Sequence, residues 1–303
     1  MIKSIKLSPR KVMRMARRHT LIYIVFVLII GGCASSNKMQ RSRNHHPETK
    51  LGWQLGAQAY TFKKFTFSEA VVKIASCDLH YVEAYPQQEI GGGIQEKMDY
   101  HMSEDSRKYI KKLLKANNMR WQAYGVIKAK DATEWRKVFE FAKSMGIETI
   151  TCEPDIAMLD EISKLCDEFD IRAAIHNHAS PSYYWQPETV LQAIQGKSNK
   201  IGVAADIGHW LRSGLDPVAS LKKLEGKVFH LHFKDLNEQS SKKAHDVHWG
   251  TGAIDIPGVI AELKRQQFAG MIAAEYEYNW DNNVEDVRIS VENFRKIVTE
   301  LTK

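Results

Sequence analysis

Cysteine is scarce in this chain of 303 residues, which contains four and no pair with CxxC spacing. This argues against a disulfide framework and a structural zinc site, since both need closely paired cysteines, although one disulfide stays open. No GxGxxG segment is present, so the phosphate loop of a dinucleotide-binding fold is missing. The longest apolar run, residues 21–32, is too short to span a bilayer comfortably.

Acidic residues are absent from the first 32 positions, which hold seven Lys and Arg ahead of Cys33. A basic start, a short apolar core and small residues before a cleavage point are typical of a secretory signal. The segment Ile30-Gly31-Gly32-Cys33 resembles a bacterial lipoprotein lipobox. The resemblance implies cleavage before Cys33 and lipidation of its thiol, with a plain signal anchor as the alternative. We therefore expect a lipid-anchored protein of the bacterial cell envelope that faces the periplasm.

The net charge of +7 equals the number of basic residues in that segment, so residues 33–303 are close to neutral. A neutral protein offers no electrostatic basis for binding nucleic acid. We expect a small-molecule partner, no nucleic acid, and membrane contact only through the lipid. Association into a homo-oligomer stays open.

Residues 33–50 are polar and predict a flexible tether, and residues 51–303 predict one folded domain. In that domain, short apolar runs alternate with amphipathic segments, as in βαβ units around a parallel sheet. The predicted strands cover residues 53–58, 80–83, 120–124, 148–152, 172–175, 201–205, 228–233 and 271–274. Ser103 and Asp131 precede two of the predicted helices as caps. Eight repeats in about 250 residues predict an α/β fold, a single (β/α)₈ TIM barrel.

Polar residues stand at the end of nearly every predicted strand. The active site of such a barrel collects at the carboxyl ends of the strands, so carboxylates and imidazoles from strands 4, 6, 7 and 8 should converge. Three carboxylates and one imidazole form a mainly oxygen site. Such a site suits Mn²⁺ or Mg²⁺, and the imidazole also allows zinc or cobalt.

Four segments carry a family resemblance: Cys152-Glu153-Pro154, the run 205–210, the run 230–235, and the run 274–277. They resemble the xylose isomerase-like TIM-barrel superfamily, the sugar phosphate isomerase/epimerase group, over essentially all of 51–303. The resemblance implies that a divalent metal is held by Glu153, Asp206, His232 and Glu275. It also implies that His209 contacts substrate oxygens.

Further roles can be assigned to individual residues. In the ketose 3-epimerases of this group the first and last Glu form the acid/base pair, which implies catalytic roles for Glu153 and Glu275. His178 is a candidate base or substrate ligand. Lys234 is expected to contact substrate, with a surface ion pair to Asp235 as the alternative. Glu83 is a weaker candidate for substrate contact.

Three functions remain open from the sequence. The first is a metal-dependent sugar isomerase or epimerase that abstracts a proton alpha to a sugar carbonyl. The second is a lyase or hydratase acting on a 3-keto-glycoside at the same site. The support for this alternative is that residues 209–214 and 249–252 resemble exported relatives, some of which act on 3-keto-sugars. In addition, Leu159 and Glu238 stand where the ketose 3-epimerases have Glu and Arg. The third is a non-catalytic sugar-binding lipoprotein.

Overall fold

A computed structural model describes residues 46–303, so Cys33 and the predicted signal lie outside the described residues. The strands are β1 Gln54–Gln58, β2 Tyr81–Ala84, β3 Glu89–Gly91, β4 Ile94–Lys97, β5 Arg120–Ile127, β6 Thr149–Cys152, β7 Arg172–His176, β8 Ile201–Asp206, β9 Val228–Phe233 and β10 Met271–Ala274. Eight of them form a closed barrel with the order β1-β10-β9-β8-β7-β6-β5-β2, in which all neighbours are parallel. The predicted (β/α)₈ TIM barrel is confirmed.

Helices follow the barrel strands and pack around them. They are α1 Phe67–Ser76, α2 Glu104–Ala116, α3 Ala132–Met145, α4 Leu159–Phe169, α5 Pro187–Ala193, α6 Ile207–Arg212, α7 Pro217–Lys223, α8 Ile256–Arg265 and α9 Val284–Leu301. Short 3₁₀ helices cover Pro47–Leu51, Ala59–Phe62 and Ile156–Met158. In the described part of the chain, no helix is both long enough and apolar enough to cross a membrane.

Local sequence explains where these helices begin and end. The side chains of Ser103 and Asp131 accept hydrogen bonds from backbone N–H groups in the first turns of α2 and α3, as their cap positions predict. Helix α3 ends at Gly146, whose left-handed φ of +73° is accessible to glycine at little cost.

The hairpin β3–β4 is an element that the sequence analysis did not predict. Its turn is made by Gly91, Gly92 and Gly93, all with positive φ, and the two strands pair antiparallel outside the barrel. The glycine triplet alone indicated a loop, because the flanking strands are only three and four residues long.

The folded part of the chain begins earlier than the predicted boundary at residue 51. The 3₁₀ helix Pro47–Leu51 takes up the end of the predicted tether, and Glu48 is buried there. Its carboxylate pairs with Arg295 of α9 at 3.0 Å, and Arg295 also pairs with Asp78 ahead of β2. This helix therefore lies at the end of the barrel where the strands begin.

The apolar core lies mainly between the strands and the helices. Phe233 of β9 packs edge-on against Trp249 and Phe294, with ring centroids 4.8 and 5.5 Å away. The barrel interior is polar near its carboxyl end, since Glu83 of β2 bonds to histidines of β9, a strand that is not its neighbour. Cys77, Cys152 and Cys166 are buried and free.

Candidate active site at the carboxyl end of the barrel

Strand register brings the key side chains to one level. Asp206 and His232 are direct partners across β8 and β9, and Glu275 follows the last residue of β10. His176 ends β7 and pairs with Ala204 of β8. Because side chains in these positions point into the barrel from adjacent strands, they meet at its mouth.

Hydrogen bonds to Asn177 and His209 fix Asp206 in place. The Asn177 amide exchanges hydrogen bonds with the Asp206 backbone, accepting from its N–H at 2.9 Å and donating to its carbonyl at 3.0 Å. Carboxylate oxygen Oδ1 caps α6 by accepting from the His209 N–H at 2.7 Å. The other oxygen, Oδ2, is buried without a hydrogen bond and lies 3.1 Å from the Lys234 ammonium.

His232 is oriented by Glu83 from below. Its Nε2 lies 2.8 Å from Glu83 Oε2, and this hydrogen bond fixes the ring. Burial disfavours the imidazolium, but the carboxylates of Glu275 and Glu83 raise the pKa of His232 well above its usual value. Nδ1 faces Glu275 Oε2 at 3.1 Å. Glu83 also bonds His230 and Thr151 and has no exposed surface. The structure thus places Glu83 under His232, where it contacts protein side chains only. Its contact with substrate stays a prediction.

Four side chains form what we call the metal group: His176, Asp206, His232 and Glu275. One ligand atom from each lies within 4.8 Å of the others. His176 Nε2, Asp206 Oδ2 and His232 Nδ1 are buried and form no hydrogen bond. Their polar contacts are ion-pair contacts within the group and with Lys234, at 3.1 to 3.9 Å. Two carboxylates and two imidazoles converging in this way fit a divalent cation.

Glu153 lies in a second cluster, the outer group, together with His176 and His178. Its Oε1 bonds the His178 ring, and its Oε2 pairs with Lys128 at 2.7 Å. His176 links the two groups, because its Nδ1 is 3.6 Å from Glu153 and its Nε2 is 3.7 Å from Asp206. Three of the four predicted ligands therefore share the metal group, and the fourth is one side chain away.

Lys234 places a buried ammonium between three carboxylates. Its Nζ lies 2.8 Å from Glu275, 3.0 Å from Glu277 and 3.1 Å from Asp206. A methyl group at Gly208 would come within 2.4 Å of the Lys234 stem, so glycine leaves room for it. The alternative expectation of a surface pair with Asp235 is wrong, because Asp235 binds backbone N–H groups instead.

The charge state of each group follows from these contacts. Burial opposes ionisation of Glu275, yet His232 and Lys234 hold its pKa below the usual value. Burial also disfavours the Lys234 ammonium, but Asp206 and Glu275 raise its pKa well above the ordinary value. Burial lowers the pKa of His209 to about 3, so its imidazole is neutral. The site presents carboxylates, one ammonium and a neutral imidazole.

A cavity of about 590 Å³, the first cavity, opens beside the outer group. Glu153, His178, Lys128 and Tyr183 line it. His178 is half exposed, and Tyr183 is 57% exposed. Burial alone would raise the pKa of Glu153, but hydrogen bonds from His176, His178 and Lys128 lower it below the usual value. The carboxylate of Glu153 therefore faces this cavity in ionised form.

His176 is a member of the metal group that was not predicted as a ligand from the sequence. The alternation along β7 could have found it, since His176 and Ala174 share the inward face. Glu277 and Arg212 also belong to the site, joined at 3.4 Å.

These observations define a TIM barrel whose mouth carries a cluster of carboxylates and imidazoles that could hold a cation. A family model described as xylose isomerase-like TIM barrel matches residues 71–297, and the chain belongs to that family. The crystal structure of an uncharacterized protein from Parabacteroides distasonis has a TM-score of 0.67 and 34% identity, covering 81% of this chain and 99% of that one.

More distant relatives carry functional names. An inosose dehydratase from Lacticaseibacillus casei is 22% identical over 133 residues, or 39% of this chain and 45% of that protein. The alignment thus covers less than half of the relative. The IOLI protein, crystallised with a zinc atom, has a TM-score of 0.64 at 16% identity, covering 82% of this chain and 98% of that one, and this likeness concerns the fold alone.

Proposed function

We propose that this protein is a metal-dependent enzyme that abstracts a proton alpha to a sugar carbonyl. The observation that carries the proposal is the convergence of four buried ligand atoms in the metal group, next to an ionised Glu153 that lines a cavity. Two carboxylates and two imidazoles at one point suit a cation, and a further carboxylate beside them suits proton transfer.

His176, Asp206, His232 and Glu275 would hold the ion, with Glu153 as the predicted ligand nearest to them. When bound, a divalent cation polarises a carbonyl oxygen as a Lewis acid. Mn²⁺ or Mg²⁺ suits the carboxylates, and zinc suits the two imidazoles, so the site admits either type. The IOLI protein, which has the same fold, was crystallised with a zinc atom.

The chain's own residues supply the proton transfer. Glu153 is the proposed base, because its carboxylate is ionised, bonded to His178 and exposed to the first cavity. Lys234 keeps its proton and offers positive charge near a developing enolate. The neutral His209 can hydrogen-bond sugar hydroxyls.

An isomerase or epimerase returns the proton to the sugar. Glu275 is the proposed acid for this step, because it lies across the barrel from Glu153. Glu153 follows β6 and Glu275 follows β10, and three strands separate these two in either direction around the barrel. Acid and base would then address opposite faces of one carbon.

Elimination is the second candidate, favoured by the similarity to inosose dehydratase. Glu153 would take the proton from the carbon beside the ketone, and the electron pair of the broken C–H bond would form the new C=C bond. The leaving group departs from the next carbon with its bonding electrons and takes a proton from a neighbouring acid. On a 3-keto-glycoside the double bond forms between C1 and C2.

Proton NMR in D₂O tests both reactions. Mn²⁺-loaded protein should exchange the proton beside the carbonyl of a ketose or a 3-keto-glucoside, and chelator should stop the exchange. Glu153→Gln should lower the rate at least about 100-fold, whereas Glu104→Gln, an exposed position on α2, should leave it unchanged. Absence of exchange with either substrate class would leave a sugar-binding protein as the better assignment.

We also propose that Cys33 carries the lipid anchor, which would place the enzyme in the bacterial cell envelope. The support is the basic segment, the apolar run and the two glycines before Cys33. The wild-type chain should fractionate with membranes and incorporate labelled palmitate, and Cys33→Ser should do neither. Equal labelling of the variant would contradict the anchor.

A further inference from the structure

A second cavity, of about 720 Å³, lies on the other side of the barrel mouth. Its walls are the loops after β9 and β10, including Asp246, Tyr278 and Trp280. The first cavity is walled by residues that follow β5, β6 and β7, which lie across the barrel from β10. The two cavities therefore flank the metal group, and the volume of the second is in the range of ligand sites, about 300–1,000 Å³.

Charged side chains connect the metal group to the second cavity. Glu277 Oε2 forms ion pairs with Lys234 Nζ at 3.0 Å and with Arg212 Nη1 at 3.4 Å. The same guanidinium reaches Asp246 Oδ2 at 3.7 Å. Arg212 and Glu277 keep 14% and 22% of their side chains exposed, and through them the metal group is linked to Asp246 of the second cavity.

Asp246 is a buried group that lacks a hydrogen-bond partner. It is 1% exposed, it lines the second cavity, and neither carboxylate oxygen has a hydrogen bond. Burial raises its pKa to about 8, so the carboxyl is mainly protonated at neutral pH and can donate to a hydroxyl. A buried polar group with open hydrogen-bonding capacity indicates a polar ligand.

Aromatic rings give the cavity an apolar surface. Tyr278 is 49% exposed and is backed by the His245 ring, with centroids 4.5 Å apart and planes tilted by 32°. Trp280 lies nearby, and Lys63 covers one of its faces at 3.6 Å. An exposed ring beside hydrogen-bonding groups suits a ligand with one apolar face and many hydroxyls. The carboxylates of Asp281 and Asp286 at the wall disfavour an anion.

We propose that the second cavity binds a further sugar unit, so that the sugar at the metal group is one unit of a glycoside. This inference rests on the proposed function of the metal group. Tyr278 would stack on the further unit, and Asp246 would bond one of its hydroxyls. The cavity would then set specificity for the part of the substrate that does not react.

Calorimetry with matched sugars tests this inference. The probes are methyl α-D-glucoside against maltose and trehalose, and methyl β-D-glucoside against cellobiose and gentiobiose, with Mn²⁺-loaded protein. At least one disaccharide should bind about tenfold more tightly than the methyl glucoside of the same anomer, a difference of about 1.4 kcal/mol. Tyr278→Ala and Asp246→Asn should each remove most of that advantage.

Val72→Ala is the matched control, since Val72 is 54% exposed on α1 and should leave all affinities unchanged. No disaccharide advantage, or an advantage that survives both cavity variants, would overturn the inference. Tyr278→Ala decides the matter if Asp246→Asn does not fold, because Tyr278 is a surface residue. Deuterium exchange on a 3-keto-monosaccharide tests the metal group separately, so failure of either proposal can be recognised.

Discussion

Asp206 and Asp235 are both fully buried and both lie at the carboxyl ends of neighbouring strands, but their carboxylates have different partners. The oxygens of Asp235 accept four backbone N–H groups, at 2.9 to 3.0 Å, which fixes the loop from residue 236 to 254. Asp206 accepts a backbone N–H with one oxygen only, and its other oxygen contacts charged or titratable side chains, with the Lys234 ammonium at 3.1 Å. Burial is thus common to both aspartates, and the oxygen that is not bonded to the backbone marks the candidate ligand site.

The same contrast separates the two clusters that share His232. Glu83, on the lower side, has both oxygens bonded, to Thr151 and to two histidines. On the upper side, His232 Nδ1 faces the Glu275 carboxylate at 3.1 Å without a hydrogen bond. A hydrogen-bonded lower layer that orients the ligand side chains above it is the arrangement expected around a bound cation.

The largest expected effect is that of Asp206→Asn. The amide keeps the shape but removes the negative charge from the metal group, so Mn²⁺ affinity should fall at least about 100-fold and the exchange rate about 1,000-fold, or roughly 4 kcal/mol. Calorimetry and NMR exchange measure the two effects. Wild-type metal affinity in the folded variant would remove Asp206 from the ligand set.

Asp235→Asn should act on stability instead. Its amide N–H₂ would face backbone donors, which should lower the free energy of unfolding by about 2–4 kcal/mol. Thermal unfolding should show the loss, while Mn²⁺ affinity of the folded protein stays within about twofold. Lost metal affinity with unchanged stability would erase the distinction between the two aspartates.

Glu83→Gln should weaken metal binding by about 10–100-fold, because the carboxylate that orients His232 loses its charge. Thr151→Val is the matched control, since it removes a bond to the other oxygen of Glu83 and leaves both histidines paired. Its effect on Mn²⁺ affinity, measured by calorimetry, should be smaller. Equal effects of the two variants would mean that Glu83 serves packing alone.

The smallest expected effect is the pH dependence caused by Asp246. Its folded pKa of about 8 lies above the unfolded value of about 3.9. The folded state therefore holds more protons in that window, and this contribution to stability is lost as pH rises from about 4 to 8. The Tm of Asp246→Asn should therefore rise relative to that of the wild type as pH increases from 5 to 8. Parallel curves would show that Asp246 is already ionised.

The fold followed from the sequence because strand and helix periods are local properties. All eight predicted barrel strands are present, and those at Val228–Phe233 and Met271–Ala274 have the predicted bounds. The hairpin around Gly92 escaped prediction because its strands are too short to show a period. The early start at Pro47 escaped because it depends on a distant partner, Arg295.

The site could be predicted in part for the same reason. Strand ends located Asp206, His232 and Glu275, since parallel strands bring their carboxyl ends together. The surroundings of Lys234 and Glu83 could not be predicted, because their contacts cross the barrel and depend on tertiary geometry. The remaining assignments, including the roles of His178 and His209 in substrate contact, stay predictions.

The buried pair of Glu48 and Arg295 has a consequence for how the barrel is closed. Glu48 lies just ahead of β1, and Arg295 lies in the helix that follows β10. Strands β1 and β10 are neighbours in the sheet. The ion pair therefore joins the first and last described elements outside the sheet, at the same seam that these two strands join within it.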